Sequence, residues 1–169
     1  MSAAGNSGEG QFDDLARSLV GLPVGHVWRG YGSALFLEFG ALRPRLRRDG
    51  SFGNPHGQIS LMLEWSWRIE GRRRILCGSW SDKRRWPRVF NLVRGKTVES
   101  VTLFGRLAEL DLGFSHGLHA LSFMTADGDP AWILIRNDTT RTVFRVRHGR
   151  LSVESGQDMD AGPDDGWKR

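Results

Sequence analysis

The residues of this chain that could do chemistry are its histidines, its one cysteine, four carboxylates on predicted strands, and its arginines. His116 and His119 have an HxxH spacing, but the stretch reads as turn and strand, where residues three apart point to opposite faces. The pair is therefore not expected to hold one metal ion, and His26, His56 and His148 are scattered singly. Cys77 lies in the apolar run Ile75-Leu76-Cys77, where a thiol is inert packing. A single cysteine excludes an internal disulfide and an all-cysteine metal site. No serine stands in a Gly-x-Ser-x-Gly elbow, and the chain has neither a Walker-type loop nor GxGxxG ahead of a helix. Glu38, Glu64, Glu109 and Asp111 fall on strands, and nothing in their spacing brings two together. They are read as solvated or paired with arginine. No catalytic residue, metal or cofactor is expected, and the chain is read as not an enzyme.

Arginine is the better lead. The formal net charge is +5. From Arg29 to Arg94 there are fourteen Arg/Lys against five Asp/Glu, a local +9, and the remainder has ten against fourteen, or −4. Arg43, Arg45, Arg47 and Arg48 form a first cluster around Pro44. Arg72, Arg73 and Arg74 form a second, and Lys83, Arg84 and Arg85 with Arg88 a third. Trp80 and Trp86 flank the third and could stack on a single-stranded ligand. Phosphate binding needs several cations on one face. The second and third clusters are expected at opposite ends of the strand Arg74–Ser79, so the three need not converge. The preference for arginine, twenty-one against three lysines, matches GC-rich coding and does not by itself point to nucleic acid. Of seven tryptophans, Trp65, Trp67 and Trp132 fit strand interiors and are read as core. An exposed pair among Trp28, Trp80, Trp86 and Trp167 would mark an interaction surface.

The elements that must position these residues are mostly strands. Gln58–Glu70 alternates strictly, with Ile59, Leu61, Leu63, Trp65, Trp67 and Ile69 on one face. At about 3.3 Å per residue it would span roughly 40 Å, so it bends, bulges or serves two sheets in turn. It is taken as the central strand. Gln11–Val20 has one apolar helical face, stopped by Gly21. Pro87–Arg94 reads as a second short helix, ended by Gly95. From Thr97 on the pattern is β, with turns at Gly105, Ser115-His116-Gly117, Asp127-Gly128, Asn137-Asp138 and His148-Gly149.

Shifting the chain by 74 residues superposes Leu15, Leu19 and Gly21 on Val89, Val93 and Gly95, then Val24 and Val27 on Val98 and Val101. One residue further, Leu35, Leu37 and Phe39 fall on Leu110, Leu112 and Phe114. The expected fold is α+β and β-dominated, with antiparallel sheets (a sandwich or half-barrel), two short helices and an internal αββββ duplication. Residues 1–10 are expected to be disordered. One globular domain covers 11–154, as pseudo-repeats of about 11–82 and 83–154, and 155–169 form a flexible acidic tail. No apolar run reaches the length of a membrane span and the first residues lack a signal-peptide pattern, so a cytoplasmic protein is expected.

GSALFLEFG, EWSWRI, CGSW and LFGRL, followed by LDLGFSHGL, LSFM and WILI, resemble a group of small bacterial hypothetical proteins. More loosely the pattern is similar to β-rich domains of toxin-neutralising immunity proteins. The resemblance spans about residues 15–153 and carries no catalytic residue. The function expected is a non-catalytic domain that binds a macromolecule, a protein first, as a monomer or a homodimer. The alternative is nucleic acid or another polyanion, held through the arginine clusters.

Overall fold

The computed structural model describes residues 5–126 and 130–156. Helix α1 (Gly5–Leu19) is followed by β1 (Val24–Arg29), β2 (Leu35–Phe39), β3 (Ile59–Leu63), β4 (Trp67–Gly71) and β5 (Arg74–Gly78). A 3₁₀ turn, Lys83–Arg85, leads into α2 (Trp86–Val93). Then come β6 (Val98–Phe104), β7 (Glu109–Phe114), β8 (Leu118–Ser122), β9 (Trp132–Arg136), β10 (Thr142–Arg147) and β11 (Arg150–Ser155). All strand pairing is antiparallel. One sheet has the order β1-β2-β3-β9-β10-β11 and the other β5-β4-β8-β7-β6. The two form a sandwich around one apolar core, in which Leu15, Leu35, Leu37, Leu61, Trp67, Leu110, Trp132 and Leu134 are wholly buried. No described helix is long and apolar enough to cross a membrane.

The duplication is visible in the ladders, with a twist that periodicity cannot show. Each half gives three strands to one sheet and its closing hairpin to the other, so β1-β2-β3-β9-β10 matches β6-β7-β8-β4-β5. The halves are interleaved, not set side by side as two sheets, and each has five strands, with β11 an addition to the second. Pro23 pairs antiparallel with Thr97, 74 residues on. Around that pair the hydrogen bonds come in matching sets. Gly21 N–H donates to Val98 O at 2.9 Å and Gly95 N–H to Val24 O at 2.8 Å. Val24 N–H donates to Lys96 O at 2.8 Å and Val98 N–H to Leu22 O at 3.0 Å. The bulges match too, between Val24 and His26 in one half and between Val98 and Ser100 in the other. Gly21 and Gly95 end the two helices at φ +90° and +80°, where a Cβ would be strained.

Gln58–Glu70 is two strands rather than one. β3 belongs to the first sheet and β4 to the second, and the chain crosses between them at Glu64-Trp65-Ser66. The crossing turns Trp65, expected inward, out to 50% exposure. The second half crosses in the same way between β8 and β9. Helix α1 starts at Gly5, six residues before the expected Gln11, so Gly5–Gly10 are helical rather than disordered. The helices close the open sides of the sandwich. α2 packs against β1 and β5, and α1 against β6 and β11, which are the edge strands of both sheets. Ser155 completes β11, and the remainder of the expected tail, 157–169, lies outside the described residues, as do 1–4 and the turn residues Asp127 and Gly128.

Candidate partner-binding site

Three loops are tied to Trp67 and its neighbour Ser66, through the buried indole and through the backbone. Trp67 Nε1 donates to Ser33 O at 2.6 Å, tying in the β1–β2 loop. Its backbone N–H donates to Ser79 Oγ at 3.3 Å and its carbonyl accepts from Ser79 N–H at 2.9 Å, which holds the segment after β5. The sheet crossing precedes it directly, pinned by Phe123 N–H donating to Ser66 O at 3.0 Å. Each loop carries one exposed aromatic side chain: Tyr31 at 90%, Trp65 at 50% and Trp80 at 85%. These three side chains leave water-facing apolar area on backbone that is fixed from below. Arg29, Lys83, Arg84 and Arg85 are exposed on the same segments.

Trp86, expected to flank the basic cluster as a stacking surface, is only 2% exposed. It opens α2, and the apolar face of that helix turns it onto Trp67, with ring centroids 5.1 Å apart, and onto Phe90 at 6.0 Å. Its Nε1 donates to Ser81 Oγ at 3.1 Å. Trp86 is core, and Arg29 and Lys83 each approach its ring, at 5.9 Å from the centroid. Arg84 is held at 2.7 Å by Asp82, whose carboxyl it pulls below the usual carboxylate range.

The other clusters lie elsewhere. Arg43, Arg45, Arg47 and Arg48 sit on an arm between β2 and β3, closed by the bridges Arg43–His56 and Leu46–Phe52 and a turn at Asp49-Gly50. Arg47 N–H bonds Ser51 O and Gly53 N–H bonds Arg45 O, both at 2.8 Å, which sets Leu46 and Phe52 side by side on one face. They are 65% and 71% exposed. Arg72 and Arg73 form the β4–β5 turn, where Arg72 covers Gly117, and Arg74 begins β5. As expected, β5 separates that cluster from Lys83–Arg85, by about 13 Å of extended chain. Arg88 is exposed on α2. The three clusters thus occupy three separate elements. Tyr31 stands between Gly30 and Gly32 and outside any apolar alternation, which is the signal the sequence offers for its exposure.

His119 Nδ1 and Asp111 Oδ1 are 2.8 Å apart on neighbouring strands. Ser100 stands beyond Gly113 in the same row, and no hydrogen bond joins it to His119. Glu109 accepts from Ser122 Oγ and from Met124 N–H, within the core's rim. Burial pushes the Cys77 thiol up to about 12, so it stays protonated and unreactive near neutral pH. No cluster of metal-ligating side chains occurs among the described residues.

Glu64 lies at the crossing with no side-chain hydrogen bond or ion pair among the described residues, and burial raises its carboxyl above the usual range. The folded state then favours its protonated form, so its contribution to stability is full below the unfolded-state value and lost as pH rises through the folded one. Glu64→Gln should therefore stabilise the fold at pH 7, by about 0.5 kcal/mol because the site is half solvated. The gain should vanish near pH 3. Urea unfolding at both pH values checks it; an equal shift at both would show that ionisation is not the cause.

No family model, curated protein or solved structure matches the chain.

Proposed function

We propose that this chain is a non-catalytic binding domain that recognises a macromolecular partner, and that the partner is a protein. The observation that carries the reading is the set Tyr31, Trp65 and Trp80, exposed on three loops that Trp67 fixes from within. Tryptophan, tyrosine and arginine dominate binding hot spots, and rigid loops bring them to a partner at little cost in ordering. Cations border the set without forming a continuous track, which suits a protein surface better than a phosphate backbone. An immunity-like role, neutralising a toxin, is one form of this reading and stands on the sequence resemblance alone. The nucleic-acid alternative keeps the arm, which carries Arg43, Arg45, Arg47 and Arg48.

The test compares the wild-type chain with Tyr31→Ser/Trp80→Ser in affinity capture from the source cells, alongside labelled single-stranded DNA and RNA at low salt. Both side chains are largely solvent-exposed, so the double variant should unfold within about 1 kcal/mol of wild type. A protein retained by wild type should be reduced at least tenfold with the variant. Retention that ignores the substitutions would remove the aromatic set from the site. Nucleic-acid binding with no protein retained would replace the reading by the alternative.

A further inference from the structure

The arm between β2 and β3 is an amphipathic ribbon. Leu46 and Phe52 oppose each other without a hydrogen bond between them, the pairing that brings side chains closest, and both are exposed. Arg45 and Arg47, on either side of Leu46, take the opposite face. There a Cβ on Gly53 would lie 3.5 Å from Arg47 Nε. None of Arg43, Arg45 and Arg47 forms an ion pair with a described carboxylate. Asp49, the arm's own acid, is taken by Ser51, whose N–H and Oγ donate to it at 2.9 and 2.6 Å. Two strands alone are marginal in water, so the outer part of such an arm gains from a cover.

The same end of the same sheet leads into the last segment of the chain. The ladders set Phe39 against Ile59, Ile59 against Arg136, Arg136 against Thr142 and Thr142 against Ser155, one row of five residues. Phe39 and Ile59 are the roots of the arm, and Ser155 ends β11. Three strand spacings, about 14 Å, separate Ser155 from Ile59. Residues 156–167 reach about 40 Å when extended, enough to run the length of the arm. They contain Asp158, Asp160, Asp164 and Asp165 with no Lys or Arg, and end on Trp167. The arm offers the complement, arginines and an apolar pair. Duplication singles out both partners. The arm stands where the other half has a three-residue turn, and β11 has no counterpart in the first half. The sandwich needs neither, and both stand where they can meet.

From these observations we infer that the acidic segment 157–167 docks on the arm of its own chain. Its carboxylates meet Arg45 and Arg47 in charge-assisted hydrogen bonds, and Trp167 lies over Leu46 and Phe52. The ribbon is one strand spacing wide, about 5 Å, so a segment crossing it reaches both faces. Tethering supplies the segment at an effective concentration of about a millimolar, so a weak contact is enough. The contact occupies cations that the nucleic-acid alternative would use. It does not involve the aromatic set, since Tyr31 precedes β2 and the arm follows it.

The test places a nitroxide on Ala161→Cys in the 169-residue chain. Cys77, the other thiol, is buried and stays unlabelled. The amides of Leu46, Arg47 and Phe52 should lose at least twice as much signal as those of Gly8 and Glu9. Gly8 lies against Val153, two residues from the root of the segment, so an undocked segment would broaden Gly8 first. Asp158→Asn, Asp160→Asn, Asp164→Asn and Asp165→Asn together should reverse the order. So should about 1 M salt, where charges act over only about 3 Å. Equal or stronger broadening at Gly8 in the parent chain, or an arm signal unmoved by the four substitutions, would overturn the inference. Mixing nitroxide-bearing chains with isotope-enriched chains that lack the label gives the last check. Arm broadening between molecules would assign the segment to a second copy and overturn the contact within one chain. None of these readouts needs a partner, so their failure leaves the protein-recognition reading intact.

Discussion

Trp67→Ala should cost about 3–5 kcal/mol, the range for emptying a buried tryptophan site. The side chain is wholly buried and packs edgewise on Trp86. Against a total stability of about 5–15 kcal/mol, that loss removes about a fifth or more of the fold's margin. Trp67→Phe keeps most of the volume but abandons the bond to Ser33 O, and should cost about 1–2 kcal/mol. Trp132 is the matched control. It is wholly buried, and its Nε1 donates at 2.9 Å to Ala108 O, the counterpart of Ser33 one residue beyond the 74-residue shift. Trp132→Ala should therefore cost a similar amount in urea unfolding. Partner capture should separate the two, because only Trp67 supports the Tyr31 and Trp80 loops. A Trp67→Ala loss under about 1.5 kcal/mol would mean the core closes over the site. Equal effects of both variants on capture would mean that Trp67 acts through global stability alone.

That comparison also explains what the sequence could disclose. Alternation marked Ile59, Leu61, Leu63, Trp67 and Ile69 as inward, and all are buried. It could not mark the crossing between sheets, because a strand that turns the corner of a sandwich keeps the same parity facing the core on both sides. Trp65 is the one odd position that falls on the corner itself, and it alone breaks the rule. The repeat was legible through Gly21 and Gly95, since a helix stop at positive φ admits few other residues. The exchange of hairpins between halves was not legible, because pairing β4 with β8 and β3 with β9 leaves no local periodicity. Basic clusters were countable in the chain, but their separation on an arm, a turn and a helix depended on those same long-range pairings. Trp86 and Trp80 differ in exposure for one reason: the first stands on the buried face of α2 and the second on a loop.

Duplication gives a way of sorting fold from function. A feature present in both halves, such as an apolar helix face, a stop glycine or an indole bonded to the loop before it, is what the sandwich requires. Departures from symmetry are what the sandwich does not explain. The β2–β3 connection runs over nineteen residues, 40–58, where its counterpart between β7 and β8 has three, 115–117. β11, which has no counterpart in the first half, is a second departure.

The arm gives the second large effect, through Glu38. This carboxylate is 3% exposed and faces three donors. Trp28 Nε1 donates to Oε1 at 3.2 Å, while Gly57 N–H at 2.9 Å and Ser60 Oγ at 2.5 Å donate to Oε2. Asn137 Nδ2 continues the network to Ser60 Oγ and Gly57 O, at 2.8 and 2.9 Å. Gly57 closes the arm, and a Cβ there would lie 2.3 Å from Phe39 O, so this backbone has one place to sit. Glu38→Ala strands three donors at the arm's base and should cost about 2–4 kcal/mol. Glu38→Gln is nearly isosteric but not neutral. Its amide NH₂ must face Trp28 Nε1 or Gly57 N–H, donor against donor in either orientation, for a cost of about 1–3 kcal/mol. Both variants should speed tryptic cleavage at Arg47 and Arg48 more than their global destabilisation accounts for, since the arm loses its anchor before the sandwich unfolds. Cleavage that merely tracks the unfolding free energy would show that Glu38 stabilises the sheet and leaves the arm to its own bridges.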